Sequence, residues 1–120
     1  MDYALVTGGS RGIGRAVALR LAARGYTVVI NYKSNEDAAR ETLQAIEAVG
    51  GRAELLPFDV ARPEAIEAAL AAWQERHPED YISVLVNNAG VRRDNLMVFM
   101  QNEEWHEVMD TTPAQALSPH

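Results

Sequence analysis

Four short apolar runs alternate along the chain with segments in which apolar residues recur every three or four positions. The runs cover residues 3–7, 27–32, 52–60 and 81–86, and such nearly continuous apolar character is typical of parallel strands covered on both faces. The segments between them have the spacing of amphipathic helices. The alternation predicts an α/β fold, a doubly wound parallel sheet with right-handed crossovers and helices on both faces.

The first predicted helix begins in a glycine-rich segment at 8–14 and ends at Gly25, a residue type common just after helices. Its apolar residues Ile13, Val17 and Leu21 fall on one face, which is expected to pack on the sheet. The charged residues expected on the opposite, solvent-facing side are Arg15, Arg20 and Arg24.

Capping residues and prolines delimit the other helices. Ser34 is the expected N-cap of the second helix, Pro63 suits the first position of the third, and Pro78 ends it. A fourth helix is expected to begin at Asn102, because the two acidic residues after it favour a helix N-terminus. The predicted inward faces of the second and third helices comprise Ala39, Leu43, Ile46, Ile66, Leu70 and Trp73.

Composition and charge exclude several functional classes. The 120 residues match one modest domain, and the net charge of −6 argues against a nucleic-acid partner, because phosphate binding needs clustered cations. There is no cysteine, and His77, His106 and His120 lack metal-ligand spacing, so all three are expected on the surface and no metal site is predicted. The N-terminus shows neither a signal peptide nor a transmembrane span, which predicts a cytoplasmic protein with no membrane partner.

The closely spaced glycines of segment 8–14 are the first indication of a binding site. Gly8 would form the turn, Gly12 would let a pyrophosphate approach the backbone, and Gly14 would permit close packing of helix on strand. The N-terminus of the helix that follows would favour a phosphate group. The spacing differs from Gly-x-Gly-x-x-Gly, so the loop alone leaves an ordinary glycine-rich turn open as the alternative.

Polar or glycine-rich residues also follow the other predicted strands. Segments 31–34, 59–60 and 87–90 fall, with segment 8–14, at the carboxyl ends of the four strands. Ligands of open parallel sheets bind at those ends, where the strand order reverses. The convergence favours a binding site over an ordinary turn.

Three motifs, in this order, resemble those of the short-chain dehydrogenase/reductase family. They are Thr7-Gly8-Gly9-Ser10-Arg11-Gly12-Ile13-Gly14, Asp59-Val60 and Asn87-Asn88-Ala89-Gly90. Segments 90–97 and 103–105 are further similar to the 3-oxoacyl-acyl-carrier-protein reductases of fatty-acid synthesis. The resemblance runs to about Thr111 and implies a Rossmann-type sheet, truncated after the fourth strand and the start of the following helix.

The resemblance implies a cofactor-binding role for each matched residue. The loop for the pyrophosphate and ribose phosphate comprises Gly8, Gly9, Ser10, Arg11, Gly12, Ile13 and Gly14. The positions at the adenine ring are Asp59 and Val60, and the turn beneath the cofactor ribose comprises Asn87, Asn88, Ala89 and Gly90. For Asn87 and Asn88 the alternative is stabilisation of the turn without ligand contact.

Charge at the end of the second strand indicates which dinucleotide is bound. A site that selects NAD places an acidic residue there to bond the ribose hydroxyls. This strand ends instead in Asn31-Tyr32-Lys33, and both Lys33 and Arg11 could reach a 2′-phosphate. We therefore expect NADP(H) rather than NAD(H), the alternative being that both cations are merely solvated.

The resemblance ends where the family has its catalytic groups. The family places an Asn near position 112 and, further on, a Ser and a Tyr-x-x-x-Lys pair, whereas here Thr112 and Pro113 stand at the first position and the others are absent. We expect residues 1–111 to be a partial dinucleotide-binding domain and residues 112–120 a tail unrelated to the family. No catalytic residue is assigned within the chain.

Two hypotheses about function follow from the resemblance. In the first, the chain is the N-terminal half of an NADPH-dependent 3-oxoacyl-acyl-carrier-protein reductase, shortened by truncation or a frame change. Its intact relatives would act as homotetramers on 3-oxoacyl-acyl-carrier protein, whereas this chain alone would be inactive. Its strand 81–86 would form a sheet edge through which copies could associate. In the second, the chain is a non-catalytic dinucleotide-binding or interaction module.

Overall fold

A computed structural model describes residues 2–10, 12–90 and 106–108. Within them, the strands of one parallel sheet are β1 (Tyr3–Val6), β2 (Thr27–Tyr32), β3 (Arg52–Pro57), β4 (Ile82–Val86) and β5 (His106–Val108). The helices are α1 (Gly12–Ala23), α2 (Glu36–Ala48) and α3 (Pro63–Arg76). The strand order β3-β2-β1-β4-β5 reverses direction at β1, which confirms the predicted doubly wound parallel α/β fold.

The central strand β1 contributes to a separate core on each face of the sheet. Ala4 and Val6 pack in the core that contains the buried residues of α1 and α2. Tyr3 and Leu5 pack in the core that contains Trp73 of α3. Because side chains alternate between the faces of a strand, this four-residue strand needs an apolar residue at every position, and all four are buried.

The inward faces of α2 and α3 agree with the predicted ones. The fully buried members of the predicted inward faces are Ala39, Ile46, Ile66 and Trp73. On α1, Val17 and Leu21 are buried as predicted, whereas Ile13, in the first turn, is 45% exposed and not packed on the sheet. One predicted helix cap is also corrected. Pro63 begins α3, as predicted. The N-cap of α2 is Asn35 rather than Ser34, and the Asn35 side chain accepts a hydrogen bond of 3.1 Å from the Ala38 backbone N–H. The Ser34 carbonyl instead accepts from the Glu36 N–H, in a turn that precedes the helix.

The strand β5 corrects the prediction that β4 forms a sheet edge. Residues 106–108, expected within the fourth helix, pair in parallel with β4 over Val84–Val86; residues 102–105 lie outside the described part. An exposed β4 would leave a row of N–H and C=O groups unpaired, and β5 reduces that cost over Val84–Val86. Ile82, Leu85 and Val86 remain at most 2% exposed. Among the described strands, the outermost one beside β4 is therefore β5.

His77 lies in an aromatic cluster rather than on the surface, which corrects the sequence expectation. Its ring stacks on Trp73 with centroids 4.2 Å apart, and Tyr3 meets both rings edge-on. The carboxylate of Glu54 accepts from Trp73 Nε1 at 2.7 Å and lies 3.2 Å from His77 Nε2. Burial raises the pKa of Tyr3, and the carboxylates of Asp80 and Glu54 add to the effect. The cluster fastens the end of α3 to the sheet, on the edge opposite the carboxyl ends of the strands.

In the part of the chain that the structure describes, none of the helices has the length and apolar character that a membrane span requires. The same part of the chain contains no group of three or more side chains that could ligate a metal ion.

Candidate functional site

The carboxyl ends of the strands surround a cleft of about 250 Å³. Its lining residues are Gly8, Ser10, Asn31, Tyr32, Lys33, Ser34, Asn35, Phe58, Asp59, Val60 and Ala89. Six of the predicted site residues are thereby brought together: Gly8, Ser10, Lys33, Asp59, Val60 and Ala89. The volume is on the scale of a part of a dinucleotide rather than the whole, since pockets for complete ligands span about 300–1,000 Å³.

The glycine loop connects β1 to α1 through a tight turn. Gly8 has φ +64°, a conformation that favours glycine. Gly9 is buried beneath the loop, where its N–H donates to the Asn31 carbonyl at 3.0 Å. Arg11, predicted to bind phosphate, lies outside the described residues. The loop is thus held against the end of β2, and Gly8 and Ser10 face the cleft.

Gly14 provides the close approach predicted for it, against the turn and the loop after β4. A Cβ atom there would lie 2.1 Å from the Gly8 carbonyl oxygen and 2.7 Å from Asn88 Nδ2. The Asn88 amide itself donates to that Gly8 oxygen at 3.1 Å. The first turn of α1 can therefore sit directly on the glycine loop only if residue 14 has no side chain.

Gly12, at the first position of α1, borders open space. It has φ +62°, and a Cβ added to it would meet no atom of the described residues within 4 Å, its chain neighbours and its own helix backbone apart. Ile13 beside it is 45% exposed. The first turn of α1 contains no acidic residue that would neutralise its positive dipole end. This geometry fits a phosphate or pyrophosphate group.

Thr7, to which the sequence analysis assigned no role, fastens the end of β1 to β4. Its buried hydroxyl donates to the Val86 carbonyl at 3.2 Å and accepts from the Ala89 N–H at 3.0 Å. The turn that follows β4 is thereby fixed beside the glycine loop. Asn87 is buried and lies, with Asn88 and Gly90, outside the cleft lining.

Asn31 is a second residue whose role the sequence analysis missed. It is 2% exposed, and its Oδ1 accepts from the Gly8 N–H at 3.2 Å. Its Nδ2 donates to the carbonyls of Phe58 and Leu56 at 3.1 and 3.3 Å. One side chain thus joins the ends of β1, β2 and β3. The sequence did contain a signal for this bridging role, namely a polar residue within a mostly apolar strand. A buried amide must be hydrogen-bonded, so such a residue is expected to bond to neighbouring groups.

Two opposite charges lie at the mouth of the cleft. Lys33 Nζ is 3.7 Å from Asp59 Oδ2, and the Lys33 side chain is 74% exposed. The other oxygen of Asp59 accepts from the Ala61 N–H at 2.9 Å, which fixes the carboxylate. An exposed pair at this distance contributes little to stability, so Lys33 is available to an anionic ligand.

Tyr32 lines the cleft as a neutral phenol. Burial raises its pKa above the ordinary value, the Glu36 carboxylate raises it further, and Arg40 partly opposes them. Among the residues that line the cleft, the charged side chains are therefore those of Lys33 and Asp59. Lys33 is thus the cationic side chain of this lining.

Arg15 corrects the expectation that it faces solvent. It lies between α1 and α2, where its guanidinium donates to the carbonyls of Ser10 and Ala38 at 2.8 and 3.1 Å and to the Thr42 hydroxyl at 2.9 Å. The periodicity of α1 separates apolar from polar positions, but α2 covers part of the polar side.

Comparisons with known proteins agree on one family. Residues 2–115 match the family model described as short chain dehydrogenase. The chain is 40% identical over 108 residues to the 3-oxoacyl-[acyl-carrier-protein] reductase FabG of Staphylococcus epidermidis (strain ATCC 35984), covering 90% of this chain and 43% of that protein. It is 45% identical over 109 residues to the short-chain reductase protein NovJ of Streptomyces niveus, covering 91% and 40%. The chain spans less than half the length of these curated relatives.

Solved structures give the same result. A metagenomic short-chain oxidoreductase in complex with NADP is 40% identical, with a TM-score of 0.68, and the match covers 75% of this chain and 39% of that one. The landomycin C-6 ketoreductase LanV, with bound NADP and rabelomycin, is 39% identical with a TM-score of 0.66, covering 75% and 38%. Homologous structures thus bind NADP.

Proposed function

Because the chain belongs to the short-chain dehydrogenase family and corresponds to its N-terminal, NAD(P)-binding portion, we propose that it binds NADP(H) in the cleft beside the glycine loop. The observation that carries the proposal is that the glycine loop, which leads into the N-terminus of α1 at Gly12, contributes Gly8 and Ser10 to a cleft whose mouth holds Lys33. The first feature suits a pyrophosphate and the second a phosphorylated ribose.

The described residues divide naturally between the parts of the cofactor. The loop around Gly8, Ser10 and Gly12 would hold the pyrophosphate, and Ile13 lies beside it. Asp59 and Val60 would contact the adenine, and Ala89 the ribose. No acidic residue ends β2, so this strand contributes no carboxylate that would repel a 2′-phosphate, and Lys33 would pair with the phosphate in place of Asp59. Arg11 is proposed, from its sequence position, to assist.

For the longer protein we propose NADPH-dependent reduction of a 3-oxoacyl group carried on acyl-carrier protein, in a homotetramer. The 40% identity to FabG, over a match that covers 90% of the chain, supports this reaction class. The nicotinamide would supply the hydride, and a protein acid must protonate the carbonyl oxygen. Lys33 is the only lysine of the chain, and the residue four positions before it is Val29, so no Tyr-x-x-x-Lys pair occurs here. We therefore propose that the catalytic groups belong to the remainder of the longer protein.

The second hypothesis, a non-catalytic dinucleotide-binding module, uses the same site without hydride transfer. The nucleotide sequence beyond the codon for Thr111, translated in all frames, distinguishes the two. A downstream Ser and Tyr-x-x-x-Lys would support the reductase, and their absence would support the module. For the 120-residue chain itself, we expect that a 3-oxoacyl thioester causes no NADPH consumption above the blank. The measurement is the decrease in NADPH absorbance from the same starting concentration, with and without the chain.

Lys33→Gln is expected to weaken NADP⁺ binding about tenfold to a hundredfold while changing NAD⁺ affinity less than about twofold, because a hydrogen bond to a charged partner contributes roughly 1.5–3 kcal/mol. Calorimetry with both cofactors measures the difference. Lys33→Glu should reduce NADP⁺ affinity further than Lys33→Gln does, since the negative charge of the new side chain repels the phosphate. Equal losses for NADP⁺ and NAD⁺ would show that Lys33 does not contact the 2′-phosphate.

The single lysine also permits a direct check of the same contact. Limited acetylation modifies Lys33 and the α-amino group of Met1, and peptide mass spectrometry separates the two products. NADP⁺ should protect Lys33 more than NAD⁺ at equal site occupancy, with the α-amino group as the internal reference.

A further inference from the structure

Two side chains from different helices hold one carbonyl group of the glycine loop. The Ser10 carbonyl oxygen accepts from Arg15 Nη2 of α1 at 2.8 Å and from the Thr42 hydroxyl of α2 at 2.9 Å. Thr42 is fully buried, and the Arg15 side chain is 30% exposed. The two donors are themselves linked, because Arg15 Nε donates to the Thr42 oxygen at 2.9 Å.

This network has a defined direction of hydrogen bonding. The Thr42 hydroxyl has one proton and accepts from Arg15, so its proton is directed to Ser10 at 2.9 Å rather than to Ala38 at 3.4 Å. The guanidinium also donates to the Ala38 carbonyl at 3.1 Å, which ties the same group to the first turns of α2. Its contact with Glu41 at 3.2 Å involves a carboxylate that is 66% exposed and contributes little.

We propose that Arg15 and Thr42 are positioning residues for the cofactor pyrophosphate, an inference that rests on the proposed NADP(H) site. A carbonyl oxygen held by two donors cannot turn toward the ligand, where its partial negative charge would repel phosphate oxygens. The loop is therefore set in its binding conformation before the cofactor arrives, which lowers the entropy cost of binding. Neither residue needs to touch the cofactor, and neither lines the cleft.

The test compares a ligand that has a pyrophosphate with one that lacks it. Arg15→Met and Thr42→Val retain much of the side-chain volume and remove the donors to Ser10. Calorimetry with NADP⁺ should show an approximately tenfold loss of affinity for each variant, and 2′-AMP, which reaches only the adenosine end, should change less than about twofold. Thr42→Ser, which keeps the hydroxyl, should restore NADP⁺ affinity.

Arg40→Met is the matched control. Arg40 is also a guanidinium on the α1–α2 side of the sheet, but it pairs with Glu36 at 2.6 Å on the surface of α2 and is not among the donors to Ser10. Both affinities should equal those of the wild type. Because Arg15 and Thr42 act on one carbonyl, the double variant should lose less affinity than the product of the two single losses.

The outcomes separate this inference from the proposed function. A wild-type chain that binds neither ligand contradicts the NADP(H) site and the positioning role together. A wild-type chain that binds both, with variants that bind NADP⁺ equally well, contradicts the positioning role alone. Equal losses for NADP⁺ and 2′-AMP would indicate general damage to the cleft and would also contradict the positioning role. If Arg15→Met does not fold, as judged by circular dichroism, the Thr42→Val and Thr42→Ser pair decides.

Discussion

Replacing Gly14 with alanine is expected to lower the free energy of unfolding by about 3 kcal/mol, although alanine is the better helix former. Helix propensity alone would favour alanine by about 1 kcal/mol inside α1. The added Cβ, however, would lie 2.1 Å from the Gly8 carbonyl oxygen, a backbone atom held by the Asn88 amide. Since neither group can yield without breaking the turn, the steric cost exceeds the gain in propensity.

Urea unfolding followed by circular dichroism measures this effect. Ala16→Gly is the calibrating variant, because Ala16 is exposed in the same helix and should lose only the propensity difference, about 1 kcal/mol. A Gly14→Ala chain as stable as the wild type would show that α1 does not pack on the glycine turn as described. Such a loss matters in a domain whose whole stability is about 5–15 kcal/mol.

Gly12→Val is expected to weaken NADP⁺ binding about a hundredfold or more while leaving the chain folded, because the branched side chain would occupy the space of the pyrophosphate. A Cβ at residue 12 would meet none of the described residues within 4 Å, its chain neighbours and its own helix backbone apart, so no clash of that atom with them accompanies the change. The cost to stability is conformational, since φ of +62° disfavours a β-branched residue.

Gly25→Val controls for that strain. Gly25 also has a positive φ, +99°, and open space around it, but it lies beyond the other end of α1. Both variants should lose comparable stability, whereas Gly25→Val should bind NADP⁺ like the wild type when calorimetry is performed well below its melting temperature. If Gly12→Val binds NADP⁺ normally, the pyrophosphate does not lie at the N-terminus of α1.

The sequence predicted the parts of the fold that depend on neighbouring residues. The nearly continuous apolar character of β1 and β2 marked buried strands, and Pro63 marked the start of α3 because a missing N–H is tolerated there. The turn predicted at Gly8 is confirmed, since Gly8 has a backbone conformation that most other residues avoid.

The sequence failed where a side chain has a distant partner. Arg15 and His77 were expected in solvent, yet Arg15 bonds Thr42, which is 27 positions away, and His77 lies beside Glu54, which is 23 away. Polarity indicated only that these residues needed hydrogen-bond partners, and water and protein both qualify. The strand β5 was missed for the same reason. Residues 106–108 form a strand by pairing with β4, a partner distant in the sequence, and their local pattern does not show that pairing.

The amino-acid sequence by itself determined the alternation of strands and helices, the glycine turn after β1 and the absence of an acid at the end of β2, because each follows from backbone conformation, side-chain period or residue identity. Only the tertiary structure decided which groups meet at the cleft. Asn31 bridges three strands, and Arg15 with Thr42 holds Ser10, because the crossovers place β2 beside β1 and α2 beside α1. Contacts between residues so far apart in the chain depend on packing that no local pattern encodes.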